Sequence, residues 1–358
     1  MTHVSTLTEQ TPQFETASTP ASDPVQAHAR ASSQPDASIV IVSFNTREVL
    51  RECLDSITRE AASLSLEILI VDNNSSDGSQ AMIEEEFPHV TLLRSPDNLG
   101  FGAANNLALS QACGRYFILL NSDAFFAPGA LVAAIRHMDA TPNCGLGGGL
   151  LTGRDGSLQP SARSFHSILR DAIVMTGLAH RFPKSKFFGQ FDRTWADPRQ
   201  PAEIDWVPGA FSIIRPAVLQ KVGLFDPAFF LYYEEVDLCR RIRRAGYSVW
   251  YWPDIVVIHI GGESSRQLTD LTFSAHAAQV SLWRMRSTLL YYRKHHGFQA
   301  RLIFWLETGL FRITVWRNRS SKDPARQERC RHSQDLIALM RQAWEETNGG
   351  RVSPPAPW

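Results

Sequence analysis

Cysteine is scarce and scattered. The five in 358 residues (Cys53, Cys113, Cys144, Cys239 and Cys330) stand far apart, and none forms a C-x-x-C pair. An odd, dispersed set fits small buried hydrophobes in a reducing compartment better than a disulfide framework or a zinc site. Net charge is missing too: 36 Lys+Arg face 36 Asp+Glu, which removes a protein that coats nucleic acid. No signal-peptide pattern opens the chain, and no apolar run reaches the roughly 20 residues that a membrane-spanning helix needs. Residues 1–36, rich in Ser, Thr, Pro and Ala, offer no apolar core and are expected to form a disordered tail. A cytoplasmic protein is the expectation. Internal repeats are absent. Where a dinucleotide-binding fold would place G-x-G-x-x-G after its first strand, Phe44-Asn45-Thr46-Arg47 stands instead.

What is present is alternation. Ser38 to Ser43 is a short apolar run rich in β-branched residues, the mark of a strand buried on both faces. Val49, Leu50, Cys53, Leu54 and Ile57 then share one side of a helix. A second strand, Leu66 to Val71, runs into the polar turn Asp72-Asn73-Asn74-Ser75-Ser76-Asp77-Gly78. Helix, strand (Val90–Leu93), helix (Ala103–Gln111) and strand (Tyr116–Leu120) follow. This βαβα order predicts a doubly wound, mainly parallel α/β sheet flanked by helices. Ligands of such sheets bind at the carboxyl ends of the strands, where Asp72 and Asn121-Ser122-Asp123 both fall. Further on, Gly145–Gly156 reads as a strand and hairpin, 164–199 as an insertion or mobile loop, and Trp206–Ile214 as a strand with a Pro208-Gly209 turn. Glu234–Ala245 reads as a helix, Ser248–Trp252 and Ile255–Ile260 as a strand pair, and the chain from about Leu271 as helical and basic.

Four places carry candidate chemistry. Asp72 ends an apolar strand, either as an Asx-turn cap or as a carboxylate for the base or ribose of a nucleotide. Asp123 is placed to hold a hard divalent cation that bridges diphosphate oxygens. Tyr232-Tyr233-Glu234-Glu235-Val236-Asp237 packs three carboxylates into four residues behind Phe229-Phe230-Leu231. These either complement a helix dipole, with Asp237 pairing Arg240 or Arg241, or include a general base. His259, near the end of Val256-Val257-Ile258-His259-Ile260, is a core histidine or a ligand.

Together these pieces resemble family 2 glycosyltransferases of the GT-A fold, in the rhamnosyltransferase-like branch. The likeness runs from about 38 to 265. It rests on Ser38–Asn45, Ile70–Ser79, Asp97-Asn98-Leu99-Gly100-Phe101-Gly102 with Asn105, Leu119–Asp123, Val207-Pro208-Gly209-Ala210, and Leu224-Phe225-Asp226 through Arg244-Ala245-Gly246-Tyr247. The resemblance implies that Ser43, Asn45, Asp72, Asn98, Gly100, Asn105 and Asn121 hold the donor nucleotide, a dTDP- or UDP-sugar. It assigns Asp123 and His259 to a divalent cation, Mg²⁺ or Mn²⁺. Glu235 is assigned as the base, with Glu234 as the alternative because the usual Glu-Asp pair reads Glu-Glu here. Trp206, Gly209 and Ala210 are placed at the acceptor. The branch implies dTDP-rhamnose as donor, and a growing saccharide or lipid-linked saccharide as acceptor. The metal triplet reads Asn-Ser-Asp and lacks one carboxylate, so a non-catalytic sugar-nucleotide binder is the rival reading.

The expected division is thus a tail (1–36), a GT-A catalytic domain (37–268) and a helical basic extension (269–358). From Arg284 to Arg331 the sequence has 12 Lys/Arg against 3 Asp/Glu. Within that stretch lie Leu302-Ile303-Phe304-Trp305-Leu306 and Leu310–Trp316. This combination suits a helix lying on the inner face of the cell membrane, or one packed on the catalytic domain or in a homodimer interface.

Overall fold

A computed structural model describes residues 34–261 and 273–354. The tail expected for 1–36 lies outside the described residues except for its last three, and so does the expected boundary at 268. The elements run β1 (Ala37–Ser43), α1 (Arg47–Glu60), β2 (Leu66–Asp72), α2 (Ser79–Glu86), β3 (Thr91–Arg94), α3 (Gly100–Leu109), β4 (Tyr116–Leu120), β5 (Ala124–Phe126) and α4 (Ala130–Ala140). They continue with β6 (Cys144–Thr152), β7 (Leu158–Gln159), α5 (Ile168–Met175), α6 (Leu178–Arg181), β8 (Ala202–Ile204), β9 (Phe211–Ile214), α7 (Pro216–Val222), α8 (Glu234–Arg244) and β10 (Ser248–His259). The helices α9 (Phe273–His296), α10 (Gln299–Asn318) and α11 (Pro324–Glu346) close the chain.

One sheet, in the order β3-β2-β1-β4-β9-β6-β10-β5, organises the molecule, with β7 and β8 at its margins. Strands β3, β2, β1 and β4 are parallel, as the βαβα alternation predicts. The mainly parallel α/β reading holds at its centre. Antiparallel strands join beyond it, because β9 returns beside β4 and β6 in the opposite sense.

Side-chain alternation sorts each strand between two cores. Ile39 and Ile41 of β1 face a core shared with Leu50, Cys53, Leu54 and Ile57 of α1. Val40 faces the other, shared with Ala104 and Ala108 of α3, Val236 and Ile242 of α8, and Leu289 and Tyr291 of α9. The C-terminal helices therefore stack on the same face of the sheet as the acidic helix α8.

Three local expectations change. The strand pair at 248–260 is one strand whose register shifts between Trp252 and Val256, around Pro253, which has no N–H to give a ladder. Of Trp206–Ile214, only Phe211–Ile214 pairs as a strand. The segment 164–199 contains α5 and α6 and is tied down. The Tyr292 hydroxyl donates to Asp171 Oδ2 at 2.6 Å, and the Trp206 indole N–H donates to Ser164 O at 2.9 Å.

Candidate active site at the carboxyl ends of the strands

Asp72 closes β2 fully buried. Its Oδ2 accepts from the Ser75 N–H (3.1 Å) and the Gln80 amide (2.6 Å), which caps the turn. Oδ1 is buried without a hydrogen-bond partner. A buried acceptor left open costs about 1–3 kcal/mol, so the turn role uses half of this carboxylate and leaves an oxygen for a donor from a ligand. The neighbouring polar residues shape the loops. Asn73 donates to Asn98 Oδ1 (2.9 Å) and the Gly100 carbonyl (3.2 Å), and its own Oδ1 accepts from the Leu99 N–H (2.9 Å). Asn45, at φ +52°, accepts from the Ser76 N–H at 2.8 Å. Ser43 meets Thr46, which donates to Ser122 at 3.0 Å. Asn105 bonds the carbonyl of Phe101 inside α3. Of the residues expected at the nucleotide, Asp72 and Asn121 carry buried oxygens with no hydrogen-bond partner.

The turn Asn121-Ser122-Asp123 leaves β4 and enters β5, which pairs antiparallel with β10 so that Ala124 stands opposite His259. That pairing joins residues remote in sequence: His259 Nε2 lies 3.5 Å from Asp123 Oδ1, and Gly261 N–H donates to Asp123 Oδ2 at 3.1 Å. Gln159 on β7, unremarked in the sequence, holds the histidine. Its amide Nε2 donates to the His259 carbonyl (2.7 Å) and its Oε1 lies 2.8 Å from His259 Nδ1. A carbonyl only accepts, which fixes the orientation of the amide and makes Nδ1 the N–H donor. In the neutral ring, Nε2 then keeps its lone pair beside a carboxylate oxygen, as a metal-ligating histidine does. Among the described residues no three His, Cys, Asp or Glu side chains gather into a cage. Two ligands completed by diphosphate and water suit a hard cation such as Mg²⁺, so the donor set fits the expected divalent ion.

The acidic cluster sits behind strained backbone. Tyr232 and Tyr233 both adopt the left-handed region, at φ +69° and +70°, at about 1–3 kcal/mol each. Helix α9 braces them: Ser287 donates to the Leu231 carbonyl at 2.8 Å, and the Tyr233 ring lies 5.2 Å from that of Tyr291. On the other side, Phe101 N–H donates to the Phe230 carbonyl at 2.9 Å. A Cβ on Gly100, at φ +77°, would stand 2.1 Å from that same oxygen, so only glycine allows the approach.

Beyond this bend the carboxylates differ. Burial, reinforced by the charge of Glu235, holds Glu234 well above the ordinary glutamate range. Glu235 is also raised by burial, against backbone hydrogen bonds and the nearby Arg163 and His166. Each keeps one buried oxygen without a hydrogen bond. Glu235 lines a small cavity with Phe101, Pro208, Gly209 and Ser212, whereas the Cβ of Glu234 faces Gly102 of α3. Asp237 is the structural member of the trio. It takes Arg241 (2.8 Å), Lys294 (2.6 Å) and His295 (2.7 Å), and despite its burial these partners pull it down to about 2. Ala210, next to the cavity-lining Gly209, is buried, and its carbonyl accepts from Asn121 N–H at 3.0 Å. Trp206 is buried as well, within stacking distance of His166.

Several known proteins are similar to this chain. Residues 38–202 match the model for glycosyl transferase family 2. An N-acetylglucosaminyl-diphospho-decaprenol L-rhamnosyltransferase of Mycobacterium tuberculosis is 27% identical over 249 residues, covering 66% of this chain and 80% of that protein. The rhamnosyltransferase WbbL of Escherichia coli is 25% identical over 266 residues, covering 71% and 91% respectively. GalNAc-T7, solved with UDP, GalNAc and Mn²⁺, superposes with a TM-score of 0.50 at 15% identity, over 75% of this chain and 51% of that one. Together with the sheet topology, that superposition shows a GT-A type fold. Both of these relatives are named rhamnosyltransferases.

Proposed function

We propose that this glycosyltransferase, whose residues 38–202 match family 2, is an inverting, metal-dependent enzyme. In this reading it moves rhamnose from dTDP-rhamnose onto a hydroxyl of a saccharide or lipid-linked saccharide, at the inner face of the cell membrane. The carrying observation is the unpartnered, buried Oδ1 of Asp72, on the same edge of the sheet as the Asp123–His259 pair and Glu235. Asp72 takes an N–H or O–H of the nucleotide. Glu235, beside Gly209, takes the proton of the acceptor hydroxyl as that oxygen bonds to the anomeric carbon. The bond from that carbon to the diphosphate breaks, and the nucleoside diphosphate leaves with the electron pair. When bound at Asp123 and His259, the cation supplies neutralising charge for the leaving diphosphate. One base suffices, because inversion needs a single in-line displacement. The relatives' names support rhamnose as the sugar, and that of the first supports a diphospholipid-linked acceptor.

Acceptor-independent hydrolysis across a set of sugar nucleotides is the test, run with Mg²⁺ or Mn²⁺ and with EDTA. Preferential, EDTA-sensitive release of dTDP from dTDP-rhamnose is expected. Preference for UDP-glucose would overturn the donor. Binding of a nucleotide sugar with no hydrolysis of any would favour the non-catalytic binder.

A further inference from the structure

Among the described residues no helix is long and apolar enough to cross a membrane, yet α10 presents an unusual outer face. Phe298 just before it, and Leu302, Trp305, Ile313 and Trp316 within it, are all exposed, Phe298 by 72%, Trp305 by 50% and Trp316 by 66%. At 3.6 residues per turn these positions fall within an arc of about 80°, along a helix of roughly 30 Å. The opposite side, with Ala300, Ile303, Glu307 and Thr308, is buried against the molecule. The exposed stripe is therefore not the packing face of the helix. Single exposed apolar residues need no explanation, but an aligned row containing two tryptophans does.

Charge says what covers it. Between Phe298 and Arg319 the exposed charges are Arg301, Arg312, Arg317 and Arg319, and the one acid, Glu307, is buried on the far side. Arg301, Arg312 and Arg319 lie along one flank of the stripe, about 60–80° from its centre on the helical wheel, and Arg312 reaches over the Trp305 ring at 5.8 Å. Helix α5, which packs on α10, leads into a further run of exposed apolar and basic residues. It exposes Leu169 and Met175, and the chain continues to Phe182 and Phe187 among Arg181, Lys184 and Lys186. The one acid between Ile168 and Gln190, Asp171, is buried.

We infer that the outer face of α10, continued by α5 and α6, docks on an anionic phospholipid bilayer. The tryptophans and aliphatic groups sit at the headgroup boundary and the arginines meet lipid phosphates. A second copy of the chain is a poor occupant, since it would oppose one cationic rim to another. The inference deepens the membrane-side location proposed above and rests on that reading for the choice of leaflet.

Flotation of the full chain at low salt tests it, without donor or acceptor. It compares phosphatidylcholine vesicles with vesicles that also contain phosphatidylglycerol. The chain should float with the anionic vesicles and stay below with the neutral ones. Trp305→Ser with Trp316→Ser should weaken binding at least about tenfold. Arg301→Ser with Arg312→Ser and Arg319→Ser should weaken it roughly 10²-fold. All five side chains are exposed, so donor hydrolysis should persist in both variants. A chain that hydrolyses donor but ignores anionic vesicles would overturn the docking face and leave the transferase reading intact. Flotation without hydrolysis would do the reverse. Should the tryptophan variant float normally but lose a dimer seen by sedimentation velocity, a second copy is the occupant and the membrane is not.

Discussion

Gln159 and His259 hold each other by two hydrogen bonds across 100 residues of sequence: the glutamine amide donates to the histidine carbonyl at 2.7 Å and accepts from the ring N–H at 2.8 Å. Because both contacts come from one rigid amide, the ring is fixed in position and in tautomer together.

Gln159→Leu should therefore release the ring. Nitrogen-15 spectra should show Nδ1–H at His259 in the native chain and a shift toward Nε2–H in the variant. Calorimetric affinity for Mn²⁺, with nucleoside diphosphate present, should fall about 10–100-fold, the usual effect of losing a partner that orients a metal ligand. A native spectrum with the proton on Nε2 would refute the assignment. Asp123→Ala should abolish the EDTA sensitivity of nucleotide binding.

Glu235→Gln should keep donor binding and lose about two to four decades of turnover. Burial raises the Glu235 carboxyl above the ordinary range, and a base acts only when ionised. The acid limb of the pH profile of kcat/KM should accordingly lie above about 4.3, the value of an unperturbed glutamate. If Glu234→Gln is crippled and Glu235→Gln is not, the base is the other residue.

Glu234→Gln should raise thermal stability at neutral pH. Its folded-state pKa lies above the unfolded one, so the stability linked to its proton is fully present below the unfolded value and is lost as pH rises through the folded value. At neutral pH the unfolded chain ionises this carboxyl, so folding carries the cost of burying a charge next to Glu235 or of taking up a proton. The neutral amide removes it, and each kcal/mol recovered adds about 2–4 °C to Tm. A native Tm that does not fall between mildly acidic and neutral pH would count against this.

Asp237 works with the opposite sign. Its carboxyl is held down to about 2 by His295, Lys294 and Arg241 despite burial, so it stabilises fully above the unfolded aspartate value of about 3.9 and loses that contribution as pH falls toward 2. Asp237→Asn, which leaves three cationic or polar partners uncompensated, should cost up to about 3 kcal/mol in urea unfolding. It should also lower turnover, because the same contacts fasten α9 to the helix that carries Glu235. Normal stability with normal turnover would mean that this bracing does nothing.

Much of the fold was legible in sequence order because strands and helices are written locally. The β-branched runs at Ser38–Ser43 and Leu66–Val71, and the one-sided spacing of Leu50, Cys53, Leu54 and Ile57, need no distant partner to be read. The strand-end positions of Asp72 and Asp123 follow from the same alternation. Less legible was β10: Pro253 interrupts the ladder pattern within a single strand, so local spacing suggests two. Likewise the packed segment 164–199 resembles a loop, since its anchor, Asp171 to Tyr292, lies 121 residues away.

The sequence by itself determined the α/β alternation, the strand ends that carry Asp72 and Asp123, the acidic helix start that carries Glu235, and the family likeness. Tertiary structure decided which of these residues meet. Pairing of β5 with β10 set His259 against Asp123 and brought Gln159 to both sides of that histidine. Packing of α9 under Tyr232 and Tyr233 sustained a backbone bend that neither tyrosine favours alone. Packing of α3 against α8 buried Glu234, whereas Glu235 lines the cavity beside Gly209, and packing of the C-terminal helices turned one face of α10 outward. The reason is physical: hydrophobic period and turn propensity act over a few residues, whereas desolvation, tautomer choice and sustained strain depend on groups that only folding brings within a few ångströms.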